Sequence, residues 1–163
     1  METSFEELMH VSRKARVVAE VIDRIRKSKN AIDAVFEPLK ERKDSPAKEL
    51  RKAGETLKKN LTKLSERFVA PSDRQGLFRG DDNVAAKIRS VAGSLSSSYD
   101  APTEAQLKLW NEAEKYLGVA LTEYNKVFGD EVAAFKKSIE SAAIDLFPAL
   151  DPLNAAWRQK KEE

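Results

Sequence analysis

The sequence predicts an all-α protein, an antiparallel up-down four-helix-type bundle with a short fifth helix. The first observation is a spacing. Apolar or small residues recur three and four apart at Ala47, Leu50, Gly54, Leu57, Leu61, Leu64 and Phe68, then from Trp110 through Ala113, Leu117, Ala120 and Tyr124 to Val127, then at Val132, Phe135, Ile139, Ala142 and Leu146. Such positions share one face of an α-helix, so each set is a stripe that leaves water only against another helix. The second is turn length: the short links at residues 43–45 and 100–103 force neighbouring helices antiparallel, and 3-4 stripes favour crossings of about +20°. The third is size: 163 residues suffice to bury one core without disulfides or metals.

Ser4 with Glu7 three residues on is a capping box, so the first helix starts there with Phe5 just inside. Its stripe reads Leu8, Val11, Ala15, Val18, Ile22, Ile25, Ile32, Phe36 and Leu39, with Lys29 falling on it. Pro38 lacks an amide proton and crowds the preceding turn, so a bend is expected near Lys29 or Pro38. Ser45-Pro46 reads as N-cap and first residue of the second helix. Residues 70–82 hold Pro71, Gly76 and Gly80 without periodicity and form the main crossover loop, with Leu77 and Phe78 expected to pin it to the bundle. Val84, Ile88, Val91 and Leu95 make a short third helix, and Thr103 caps a fourth that is expected to end at Gly129. Asp130 is then expected to cap a fifth helix that folds back beside the others and stops at Phe147, before Pro148. One domain over residues 1–147 and a proline-containing tail over 148–163 follow, with Trp157 either anchoring the tail or fraying with it.

Composition narrows the class. Charged residues are 34% of the chain and apolar residues 41%, the balance of helices that bury one stripe and solvate the rest; no run of eighteen apolar residues exists, so no membrane insertion is expected. The start is acidic and amphipathic rather than basic and then apolar, unlike a signal peptide, which leaves localisation open. Zero cysteines exclude thiol catalysis and cysteine-ligated zinc. Residues 1–80 carry 19 Lys and Arg against 13 Asp and Glu, the remainder 10 against 14, so the two halves have opposite sign. Mutual attraction of basic and acidic helices explains this, and a surface for a polyanion, nucleic acid or glycan, through residues 13–67 is the alternative. The cations of the first helix (Arg13, Lys14, Arg16, Arg24, Arg26, Lys27, Lys29) surround it and are interrupted by Glu20 and Asp23, which disfavours a nucleic-acid partner.

Catalytic chemistry finds little purchase. Glu7 and His10 spell half of a di-iron Glu-x-x-His pair, but the second half and its glutamates are missing, so no metal or cofactor is expected. No serine sits on a sharp Gly-x-Ser-x-Gly turn for His10 to serve. The acidic pairs Asp81-Asp82 and Asp130-Glu131 sit where helix N-termini favour negative charge, and Arg79-Gly80-Asp81 is a chance-level tripeptide match. No catalytic residue is identified.

Residues 25–33, and again residues 77–106, resemble the helical region at the C-terminus of large bacterial proteins whose body is a β-propeller of sortilin-like, bacterial-neuraminidase-type (BNR) repeats, often labelled glycosyl hydrolases. The resemblance rests on Ile25-Arg26 on the first helix, Lys87-Ile88 on the third and the Pro102-Thr103 turn, and covers most of residues 5–147; the tail beyond Pro148 departs from it. It implies a non-catalytic accessory module appended to an exported, glycan-related protein, periplasmic or extracellular. Any hydrolase activity would reside in a propeller that this sequence does not contain. Glycoside hydrolysis by the chain itself is the alternative.

A partner, whether the propeller or a second copy of the chain, would meet apolar residues lying off the main stripes. These are Met9, Val17, Val21 and Val35 on the first helix and Leu109 and Tyr116 on the fourth. They either widen the core contact or form an exposed docking face.

Overall fold

The computed structural model describes residues 4–71, 83–97 and 101–142, and every regular element in them is helical. Helix α1 spans Ser4–Leu39, α2 Ser45–Phe68, α3 Val84–Ser96 and α4 Glu104–Lys126, followed by a π-helical segment Val127–Val132 and α5 Ala133–Ser141. The all-α bundle is as the spacing predicts. Leu77 and Phe78, the pairs around Asp81, Leu146 and the whole tail with Trp157 lie outside the described residues.

All seven stripe residues of α2 and all four of α3 are buried. Helix α1 is broader. Val11, Val18, Ile25, Ile32 and Leu39 are buried at seven-residue intervals, with Val21 and Val35 on the adjoining line, while Leu8, Ile22 and Phe36 flank them partly covered. The helix passes through Lys29 without a break because Thr62 of α2 meets the ammonium: Lys29 Nζ donates to Thr62 Oγ1 at 2.9 Å. It ends one residue after Pro38 rather than at it. No basic residue occupies its last turn, and Arg51 of α2 instead donates to the Leu39 carbonyl, placing a cation at the negative end of the helix.

Among the N-caps of α2, α3 and α4, one differs from the sequence reading. Thr103 opens α4 in a full capping box with Gln106, whose Nε2 also donates to the Ser94 carbonyl of α3 at 2.7 Å. Asn83 caps α3 by accepting from Ala86 N at 2.9 Å. At α2 the cap is Asp44 rather than Ser45, and its carboxylate makes no capping hydrogen bond but holds Arg42 at 2.9 and 3.1 Å.

The larger correction concerns the fifth helix. It does not fold back: α4, the π segment and α5 form one rod whose junction residues all keep right-handed helical angles. Gly129 and Asp130 are neither C-cap nor N-cap but lie inside the π turn. The stripes explain why. From Val127 to Val132 the step is five residues where three or four would be regular. A π turn, bonded i to i+5, absorbs that extra residue and returns Val132 and Phe135 to the buried face.

Contacts along the elements give the arrangement. Lys58 reaches Asp33 and Arg51 reaches Leu39, so α2 runs antiparallel to α1. Asn60 donates to Glu131 and Arg67 pairs with Glu123, so α2 also runs antiparallel to the rod. Helix α3 packs on α1 and α4 and touches the end of α2. Both α2 and α3 meet at Tyr116: the Arg67 guanidinium lies 5.7 Å from the ring centroid and the Lys87 ammonium 4.8 Å. The 24 residues of α2 and 13 of α3, placed end to end, match the 36 of α1. At most levels the bundle is therefore three rods in section, with the middle one in two pieces.

Candidate interaction surface

The structure separates the six apolar residues that the sequence singles out as a possible interaction surface. Val21 and Val35 are interior, 4% and 6% exposed, because α1 must cover α2 and α3 on one side and the rod on another, which widens its buried face beyond a single stripe. Leu109 and Tyr116 are partly buried against the core on the α3-facing side of α4. Only Met9 and Val17 are exposed, at 46% and 38%, joined by Leu107 and Val119, which the sequence reading did not single out. The six residues do not form one patch.

Two apolar grooves flank the N-terminal half of α1. One, of about 480 Å³, runs between α1 and α3; Leu8, Val11, Ala15 and Val18 face Ala85, Ile88 and Ala92, with Ser12 and Arg89 at the rim. It exists because Ala15, Ala85 and Ala92 stand where longer side chains would close the gap. The other is a seam between α1 and the rod. Those two pack against α2 and α3 more closely than against each other, and they meet chiefly through side chains such as the Lys14–Glu114 ion pair at 3.1 Å. Val17 and Val21 face Leu121 and Tyr124 across a space of about 500 Å³ edged by Arg16, Glu20 and Arg24. A separate, smaller space of about 100 Å³ lies where Ala31, Ile32 and Val35 of α1 meet Leu57 of α2 and Val132, Phe135 and Ile139 of the rod.

Polar groups are mostly tied up locally. Glu7 is 8% exposed and His10 lies at the surface, and among the described residues no group of three or more His, Cys, Asp or Glu side chains could hold a metal. Glu131 accepts from Asn60 Nδ2 at 2.7 Å, so helix capping does not account for the Asp130-Glu131 pair. Of the seven cations on α1, Lys14, Arg24, Arg26 and Lys27 are in ion pairs and Lys29 is bonded to Thr62. Arg67 grips Glu123 through two hydrogen bonds of 2.8 and 3.0 Å and holds its carboxyl below the ordinary value of 4.5. No described helix is long and apolar enough to cross a membrane.

No protein-family model, curated protein or solved structure matches this chain.

Proposed function

We propose that this chain is a non-catalytic accessory module that works through protein contact, carried by a larger exported protein of the β-propeller kind that residues 25–33 and 77–106 resemble. The α1–α3 groove is the observation that carries the reading. Its walls are apolar and its alanines let another backbone come close, which suits a partner helix or loop with small apolar side chains. Met9, one turn away on α1, adds exposed adaptable surface beside it. Glycoside hydrolysis has weaker support, since it needs two carboxylates facing one space and neither groove flanking α1 holds more than one. Polyanion binding along α1 is weakened by the four cations already neutralised there.

The test has two arms. Against a panel of chromogenic glycosides the chain is expected to show no turnover; turnover that vanishes when a carboxylate pair is changed would make it an enzyme. In affinity capture, Ala15→Arg is expected to lose a protein that the unmodified chain retains, at unchanged melting temperature, because the exposed Ala15 can lengthen into the groove without disturbing the core.

A further inference from the structure

The seam between α1 and the α4–α5 rod is a separate surface from the α1–α3 groove, and it holds a bounded recess. The Lys14–Glu114 ion pair crosses the seam at 3.1 Å and closes the recess on the side of the α1 N-terminus. Beyond that bridge the buried Val21 and Tyr124 form an apolar floor, with Val17 and Leu121 beside them, facing a space of about 500 Å³. Phe128 stacks on the Tyr124 ring with centroids 4.3 Å apart, which fixes that part of the floor. Charged and amide side chains lie at the edge, Arg16, Glu20 and Arg24 on α1 and Asn125 on the rod. Glu20 is taken up by Arg24 at 2.7 Å, which leaves Arg16 as the uncompensated charge, since no described residue pairs with it.

We propose that this recess binds a free amphiphilic anion, a medium-chain carboxylate whose alkyl chain lies on the Val21–Tyr124 floor and whose head group meets Arg16. Three observations favour it. The size and lining are those of a small-molecule site, which typically offers about 300–1,000 Å³ of mostly apolar space with a few polar groups placed to orient the ligand. From Arg16 to Arg24 the recess runs about 12 Å along α1, at 1.5 Å of rise per residue, which suits a medium chain rather than a long one. The charge is complementary: two arginines against one glutamate make the edge net positive, and a guanidinium meets a carboxylate through two parallel hydrogen bonds. The ion pair also argues against a larger occupant. A helix about 10–12 Å across, laid along the seam, would have to break Lys14–Glu114 and leave both charges covered without a partner.

Calorimetric titration of the full chain with sodium decanoate, kept below the concentration at which it forms micelles, reads the binding, and the methyl resonances of Val17, Val21 and Leu121 locate it. Saturable binding that shifts those methyls is expected, with decyltrimethylammonium, the same chain under a cationic head, about tenfold weaker or worse. Arg16→Glu is expected to weaken decanoate about tenfold at unchanged melting temperature, because Arg16 is exposed and no described residue pairs with it. Lys59→Glu, the same charge change at an exposed position of α2, is expected to leave the affinity within about twofold. No heat and no shift with decanoate, equal binding of the cationic amphiphile, or equal effects of Arg16→Glu and Lys59→Glu would each overturn the proposal. So would capture of the chain by phosphatidylglycerol vesicles without binding of free decanoate, which would make the recess a contact for a membrane surface. The glycoside and affinity-capture experiments do not probe this seam, so either reading can fail alone.

Discussion

Gly54 shows how closely α1 and α2 approach. A Cβ at that position would stand 2.7 Å from two atoms of the Phe36 ring and 3.1 Å from Ile32 Cγ2, whereas at Gly118 nothing lies within 4 Å. An alanine in a helix gains about 1 kcal/mol over glycine, and overpacking a tight contact costs about 1–3 kcal/mol, so the contact decides the sign. Gly54→Ala is therefore expected to lower the unfolding free energy and Gly118→Ala to raise it by about 0.5–1 kcal/mol, both read by urea denaturation. Equal shifts of the same sign would mean that α1 and α2 are further apart than described. Residue by residue, burial was legible wherever a helix has one covered face: every stripe position of α2 and α3 is interior. On α1 the reading drifted onto flanking positions. Ala15, placed on the stripe, is exposed, and Val21, placed off it, is core, because a helix with neighbours on both sides follows the seven-residue spacing of Val11, Val18, Ile25 and Ile32.

Among the elements, the π segment is where local chemistry misleads. Gly129 followed by Asp130 has the residue types of a helix stop and a new start, and nothing in either residue says otherwise. The information lies in the five-residue step between the two stripes. A real chain reversal would not need the stripes to stay in phase, while a π turn requires one extra residue, and one is what is found. Deleting Gly129, which is exposed and has nothing within 4 Å of its missing Cβ, should convert the π turn to an α turn while Val132 and Phe135 keep facing the core. The deletion is expected to change the unfolding free energy by less than about 1 kcal/mol. Deleting the equally exposed Lys115 rotates all that follows by about 100° and should unfold the chain or cost several kcal/mol. Circular dichroism melts of the two deletions compare them directly, and similar losses would refute the role given to the π turn.

Across the whole molecule, the rod that continues through the π turn sets where the chain goes. Asn60–Glu131 and Lys14–Glu114 fix α4 and α5 parallel to α1, so Glu6 and Ser141 sit at opposite ends of the bundle. Fluorescent labels on Glu6→Cys and Ser141→Cys are expected to report a separation of about 50 Å, from 1.5 Å of rise per residue. A fifth helix folded back from Gly129 would bring them to about 20 Å instead. That architecture was only half visible beforehand: helix type and the antiparallel α1–α2 and α3–α4 pairs followed from stripes and short turns. The stacking of α3 on the end of α2 did not. It depends on contacts between residues far apart in sequence, such as Arg67 and Lys87 meeting at Tyr116, and no local pattern encodes them.

The divided middle rod has one more consequence. Helices α1 and α2 are a hairpin, α3 and the long rod are another, and the packing of α1 on α3 and of α2 on α5 interlocks the two like clasped fingers. Among the described residues each hairpin covers apolar surface of the other, so neither half has a finished core alone. A chain divided within residues 72–82 still contains both complementary halves, and the protein has the makings of a natural split pair, in which reassembly of two fragments regenerates the whole.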